Sequence, residues 1–281
     1  MSTIRLMSHN QWKCDQNLPD WIANGWDCSA ETRTRGFVEV YKELLPDIIG
    51  CQEVSTWMAD CLMRYTQEAG LRYALLWGRD TPIFYRQDKL ELVDSDFFLY
   101  SEEFPDHEGS FNNAGTKSWC LAVFRVKETG TLFMYLTTHL WWKSSDPASK
   151  DYQPYSDEAR AYQIGLAIHR VGEFQKKYNC PAVIVGDLNA DYESLTVQKA
   201  IAEGFVHAHD IATDYADETN GHHYCFGDGY KPYDHKPFKA GIDHILLRGW
   251  PEDAVKRFDR WQPESYLALS DHAPVYIDIE I

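Results

Sequence analysis

Ser270-Asp271-His272-Ala273-Pro274 closes a series of polar residues, each of which ends or interrupts an apolar, β-like run. Going back along the chain, Asp243 and His244 lie in Gly241-Ile242-Asp243-His244-Ile245-Leu246-Leu247, and Asp187 and Asn189 follow Ala182-Val183-Ile184-Val185-Gly186. His139 follows Phe133 to Thr138, Gln52-Glu53 follows Asp47-Ile48-Ile49-Gly50-Cys51, and Asn10 follows Ile4 to His9. Helical stretches separate some of these runs. Thr32 to Leu45 carries Phe37, Val40, Tyr41 and Leu44 at helical spacing and stops at Pro46. Thr56 to Ala69 reads as a helix capped by Thr56 and ended by Gly70. Ser156 to Lys177 reads as one capped by Ser156 or Asp157, and Leu195 to Ala202 as a short one. Elsewhere β-rich segments, such as Leu90 to Tyr100, Trp119 to Val126 and Leu132 to Leu140, follow one another through polar turns. This mixed order predicts an α/β fold of two packed sheets with helices outside, not a doubly wound single sheet. No repeat, low-complexity tract or linker breaks the pattern, so a single domain over residues 1–281 is expected.

Composition narrows the function. With 281 residues and 44% hydrophobic content the chain can bury a substantial core. Its formal net charge is −16, and it has no basic stripe of the kind that grips nucleic-acid phosphates. Long duplex DNA is therefore disfavoured as a partner, whereas a local cationic or metal-bearing pocket in an acidic shell is compatible with the charge. No apolar run reaches membrane-spanning length, and the first ten residues read as a strand rather than a secretory signal, so no membrane partner is expected. Seven cysteines with no C-x-x-C favour a reduced, cytoplasmic chain over a disulfide framework or a cysteine-ligated zinc.

The strand-end residues carry chemistry as a group. Asp187 and Asn189 would point to the same side of an extended chain, where a carboxylate and an amide can hold a water and a phosphoryl oxygen; an Asx-rich turn is the plain alternative. Glu53 is a hard oxygen ligand suited to Mg²⁺ or Mn²⁺. Asp243, inside an apolar strand, must be paired or solvated, and it can orient His272 by accepting an N–H. Asp271 and His272 are adjacent, so both reach one site only if a turn redirects one of them. Asn10 and His139 taken singly are common turn or structural residues. Trp141 and Trp142, just after His139, read as an exposed-looking pair that could stack on a base or sugar or equally serve as rim packing. Lys117 is the nearest cationic candidate, and the role of His244 is open. The Gly-, His-, Tyr- and Asp-rich segment 217–239 reads as a substrate-facing loop, with a solvated insertion as the plain alternative.

Asn10, Gln52-Glu53, Thr138-His139-Leu140, Gly186-Asp187-Leu188-Asn189, Ile242-Asp243 and Ser270-Asp271-His272-Ala273-Pro274 occur in the order seen in the endonuclease/exonuclease/phosphatase superfamily, the DNase I-like group. The resemblance spans the chain, and Pro82-Ile83-Phe84-Tyr85-Arg86 and Glu158-Ala159-Arg160 are similar to the bacterial and deadenylase-like branches. It implies a four-layer α/β/β/α sandwich with a site at one edge of the paired sheets. It further implies metal binding by Glu53, helped by Asn10 and Asp271, and water activation by Asp187. Phosphate contacts would come from Asn189 and His139, and His272, held by Asp243, would contact or protonate the ester. The expected activity is divalent-metal-dependent phosphoesterase on a small phosphorylated molecule or a short single-stranded nucleic acid. Two alternatives stand beside it: a non-catalytic binding module on this fold, and a two-carboxylate glycoside hydrolase.

Overall fold

The computed structural model describes residues 2–13, 22–23, 25, 27–113, 115–215, 238–261, 263, 266 and 268–281. Among them, strands form two sheets. The first, in the order β10-β12-β13-β1-β2-β4-β3, is built from β1 (Thr3–Asn10), β2 (Ile48–Gln52), β3 (Tyr73–Leu76), β4 (Ile83–Arg86), β10 (Asp214–Tyr215), β12 (Val255–Arg260) and β13 (Val275–Glu280). The second, in the order β5-β6-β7-β8-β11-β9, is built from β5 (Leu90–Leu99), β6 (Ser118–Val126), β7 (Leu132–His139), β8 (Ala182–Asp187), β9 (Val206–His207) and β11 (Asp243–Arg248). The inner faces bury one core, with Ile4, Leu6, Ile48, Ile83 and Ile277 from the first sheet against Ala122, Phe133, Tyr135, Val183, Val185 and Ile245 from the second.

Helices cover both outer faces. Helices α1 (Ala30–Leu44) and α2 (Thr56–Glu68) pack Phe37, Tyr41, Met58 and Leu62 against Met7, Ile49 and Phe84 of the first sheet. Helices α3 (Ser156–Tyr178) and α4 (Leu195–Ala202) pack Ile164, Ile168, Val171 and Val197 against Leu121, Met134, Leu136 and Ile184 of the second. The four layers α/β/β/α match the expectation. No helix among the described residues is long and apolar enough to cross a membrane. Cys28, Cys51, Cys61, Cys120 and Cys180 are buried.

The helix starts correct the sequence reading. The cap of α2 is Ser55, whose hydroxyl accepts from the Met58 N–H, so Thr56 is already helical. Neither Ser156 nor Asp157 caps α3: the cap position is Tyr155, in a left-handed conformation without a side-chain cap, while the Ser156 hydroxyl donates to the Gln153 carbonyl. Gly70, at φ 75°, does terminate α2. Strand β12 and the short β9 and β10 were not foreseen. β12 reads Val-Lys-Arg-Phe-Asp-Arg; a register shift after Val255 breaks its alternation, and its charges mask the burial of Val255, Phe258 and Arg260.

Candidate active site

Register brings the polar strand ends into line. In the second sheet, His139 at the end of β7 lies beside Asp187 at the end of β8, and Asp187 lies beside Asp243 at the start of β11. In the first sheet, Asn10 lies beside Gln52, the residue before Glu53. The sheets meet at this edge. The Asn10 amide donates to Asp187 Oδ2 at 2.9 Å and to Glu53 Oε1 at 3.4 Å, which ties one sheet to the other.

The backbone leaves regular geometry where the site begins. Glu53 has φ 58° and Asn189 φ 49°, left-handed values that side chains adopt at a cost. The chain is therefore not extended from Asp187 to Asn189. Instead, the Asn189 N–H donates back to Asp187 Oδ1 at 2.9 Å, and its side-chain amide donates to the Leu140 carbonyl at 3.1 Å. The Asx turn and the functional reading thus describe the same residues. Gly186 allows this approach: a Cβ there would stand 2.0 Å from the Thr138 carbonyl oxygen. The Ser270 hydroxyl donates to the Asn10 carbonyl and accepts from the His272 N–H, and the bend lets Asp271 and His272 face one cavity.

That cavity, of about 430 Å³, is lined by Glu53, Lys117, His139, Asp187, Asn189, Asp271 and His272, with Lys13, Asp80, Asn113, Thr116, Trp142 and Asp151 at its rim. Two larger clefts, of about 870 and 750 Å³, lie against α2 and α1, but neither gathers such a set of ligating groups. Asn10 and Asp243 are buried just beneath the cavity. Two candidates fall elsewhere. Trp141 is buried against Phe111 and Ala159, so only Trp142 of the pair reaches the cleft. His244, next to Asp243 on β11, points to the opposite face, as strand alternation requires, and hydrogen-bonds to the Ala190 carbonyl at 2.7 Å. The loop expected at 217–239 lies outside the described residues except for its last two, Phe238 and Lys239.

Electrostatics separate the two site histidines. Nδ1 of His272 donates to Asp243 Oδ2 at 2.8 Å, and Nε2 lies 3.8 Å from Asp187 Oδ2. Burial alone would lower its pKa, but Asp243, Asp187 and Asp271 outweigh that and hold it well above the ordinary value, as an imidazolium. His139 goes the other way: burial, with the Lys117 charge, drives it well below, and it is neutral. Lys117 Nζ donates to His139 Nε2 at 2.7 Å, and burial brings this ammonium down to about 8. Burial raises the carboxyls of Asp187 and Asp271, opposed by His272.

Sequence reasoning missed the rim pair Lys13–Asp80, whose ion pair is 2.7 Å and whose Lys13 N–H donates to Glu53 Oε2. It also missed Arg33 and Arg260. Arg33 donates to the carbonyls of Gln11, Trp12 and Leu269 and fastens the site loops. Arg260 donates to the Asp243 carbonyl at 2.9 Å. These contacts join residues 17 or more positions apart and leave no local pattern to read.

The donor set suits a hard divalent cation. Ligand atoms of Glu53, His139 and Asp187 lie within 4.8 Å of one another, as do those of Asp187, Asp243 and His272. The buried Asp271 Oδ1 has no hydrogen-bond partner among the described residues, a position a cation would satisfy. Because Lys117 occupies His139 Nε2, the available ligands are mainly oxygens.

A family model for the endonuclease/exonuclease/phosphatase family matches residues 7–272, from β1 to His272. The chain belongs to that family. Solved family folds superpose along its whole length. An endonuclease/exonuclease/phosphatase family protein of Bacteroides thetaiotaomicron is 19% identical, with a TM-score of 0.74 over 99% of this chain and 98% of that one. A mannosyl-6-phosphatase of the same organism is 21% identical, with a TM-score of 0.73 over 99% and 100%. TDP2 of D. rerio, complexed with a single-strand DNA product, is 15% identical, with a TM-score of 0.64 over 100% of both chains. At these identities the superpositions establish the fold. No curated protein matches the sequence significantly.

Proposed function

We propose that this protein is a divalent-metal-dependent phosphoesterase acting on a small phosphorylated molecule or a short single-stranded nucleic acid. One observation carries the reading: His139, Asp187 and the Asp243–His272 pair line up across three neighbouring strands and face Glu53 and Asp271 in one cavity. Membership of the family supports it, and a phosphatase and a single-strand DNA complex among the structural neighbours are in keeping with both substrate classes.

Glu53 and Asp271, steadied by Asn10, would hold Mg²⁺ or Mn²⁺, which when bound neutralises the ester's charge and stabilises the leaving oxygen. The chain's own groups do the rest. Asp187 is fixed at both oxygens, by the Asn10 amide and the Asn189 N–H, so its remaining lone pairs point at an attacking water. Burial raises its basicity, which suits a carboxylate that must take a proton from that water. His272 is charged and aimed by Asp243, so it donates to a phosphoryl oxygen as negative charge grows there. Lys117 supplies a second cation on the opposite wall, and His139 sets its position.

The test is hydrolysis of a panel of p-nitrophenyl mono- and diesters, sugar phosphates, nucleotides and short RNA in Mg²⁺ or Mn²⁺. Asp187→Ala is expected to lower kcat by at least about a thousandfold and His272→Ala by about a hundredfold or more, with EDTA abolishing turnover. Turnover that survives EDTA or Asp187→Ala would overturn the proposal.

A further inference from the structure

Beyond the rim pair Lys13–Asp80 lies a second cavity, of about 570 Å³, that the hydrolytic residues do not use. It shares Lys13 and Asp80 with the first as a common wall and is otherwise lined by Trp57, Trp77, Arg79, Gly115 and the residues Val54 to Thr56. Trp57 is 54% exposed and Trp77 43%. Other aromatics are exposed as well, but these two indoles line one cavity together with a cation. Arg79 is exposed and forms no ion pair among the described residues. It is held in place by backbone geometry: Arg79 has φ 53°, and its guanidinium lies so close over Gly115 that a Cβ there would stand 3.2 Å from it. Gly115 itself has φ 77° and begins the short run to Lys117. The cavity therefore connects through its backbone to both walls of the active site, through Lys13 to Glu53 and through Gly115 to Lys117.

We propose that Trp57, Trp77 and Arg79 form a second substrate subsite that takes a nucleobase and its phosphate, one nucleotide removed from the ester being cleaved. This rests on the phosphoesterase reading and specifies its substrate. A sugar monophosphate brings one anionic group, which the Glu53–Asp271–His272 centre already serves. An unpaired cation placed beyond the Lys13–Asp80 wall, in a protein of net charge −16, calls for a second anion on the same substrate. Exposed indoles beside that cation call for a flat ring next to that anion. A single-stranded nucleotide chain supplies both at a regular spacing, and stacking on tryptophan requires no particular base. Trp142 lines the first cavity and offers a further indole there. The substrate this geometry accommodates is a nucleotide chain with a second phosphate beyond the cleaved ester.

The experiment compares wild type, the double variant Trp57→Ala/Trp77→Ala and Arg79→Ala on a short single-stranded oligonucleotide and on a one-phosphate chromogenic diester. All three residues are exposed, so the folds should survive, and the chromogenic ester serves as the control for that. On the oligonucleotide, KM is expected to rise between about fivefold and a hundredfold in the double variant, with kcat and the chromogenic rate unchanged. Arg79→Ala should raise KM less and flatten its salt dependence. Binding of a labelled oligonucleotide to Asp187→Ala, with and without the tryptophans, reads the subsite without turnover. Weaker binding in the absence of the tryptophans supports the subsite even if every ester proved inert, a result that would sink only the hydrolase reading. Equal binding, equal loss on both esters, or a wild-type preference for mannose 6-phosphate that the substitutions leave untouched would overturn the subsite.

Discussion

Two clusters of buried polar side chains lie on opposite faces of β11, and they differ in one respect. The cluster facing the cavity, Asp187, Asp243, His272 and Asp271, holds more charge than its hydrogen bonds settle. The cluster behind it, the His207 and His244 rings with the His209 N–H, is balanced. There the Ala190 carbonyl can only accept, so His244 carries its proton on Nε2, and its Nδ1 accepts. The Nε2–H of His207 supplies that bond at 3.1 Å, and His207 Nδ1 accepts from the His209 N–H. The rings of His207 and His244 are thus fixed as neutral donors and acceptors, and the His207 ring packs on Tyr192, Phe238 and Phe258. Buried polarity alone does not mark a site. What marks one here is a surplus of carboxylate facing an opening, beside a cation that the surplus itself creates at His272.

The comparison breaks most visibly at Asp271. If the front cluster is held together against its own repulsion, neutralising one carboxyl should relieve it. Asp271→Asn is expected to cost at least about a hundredfold in kcat and to stabilise the metal-free protein by about 1 kcal/mol. It should also reduce the rise in Tm that Mg²⁺ or Mn²⁺ gives wild type. Activity and thermal melts with and without EDTA read all three. A metal-free Asp271→Asn protein less stable than wild type would show that the front cluster is balanced as well.

These two clusters also show how far the sequence could be read. The strand-end residues were legible because each follows an apolar run, and register then places them side by side without further information. Asp243 and His244 were equally legible as polar residues, but which of the two faces the cavity depends on where β11 begins pairing, and that is set by Asp187 across the sheet. Trp141 and Trp142 pose the same problem, since one residue of register separates a buried core indole from a rim indole. Lys13–Asp80 and Arg260–Asp243 were not legible at all: they join residues far apart in sequence, at the ends of loops or on a strand whose charges hide it. Helix starts failed for a smaller reason, because adjacent Ser55 and Thr56 are both competent caps and only the φ and ψ of the chain choose between them.

A second test uses pH. Burial takes His244 down to about 4 and His207 well below its ordinary 6.5. Both are therefore neutral in the fold, while in the unfolded chain they take up protons as pH drops below about 6.5. Their folded values are depressed, so the stability they allow is present above pH 6.5 and is lost progressively as pH falls toward 4. His272 has the opposite sign: its raised value contributes stability below pH 6.5 that disappears as pH climbs through it. Urea unfolding of metal-free protein should show stability falling between pH 6.5 and 5 by roughly 2 kcal/mol for each neutral histidine. A flat acid limb would mean that the rear rings are charged inside the fold, and the contrast with His272 would be gone.

The smallest effect sharpens the comparison most. His244→Leu removes the middle ring of the rear chain, leaving the Ala190 carbonyl and His207 Nε2 without partners while adding apolar contact in the same space. The net cost at neutral pH is expected to be about 2 kcal/mol, and the acid limb should lose one proton of slope. Yet His244 and Asp243 are neighbours on one strand, so the variant also asks whether the two faces are mechanically independent. The Asp243 carboxylate is held by His272 and its backbone carbonyl by Arg260; neither hydrogen-bonds to the rear rings, and the Arg260 charge acts on His207 and His244 only through space. On that wiring kcat should stay within about twofold of wild type. A loss of tenfold or more, with the fold intact, would mean that the rear histidines aim Asp243 through the strand, and that the balanced cluster is part of the machinery it lies behind.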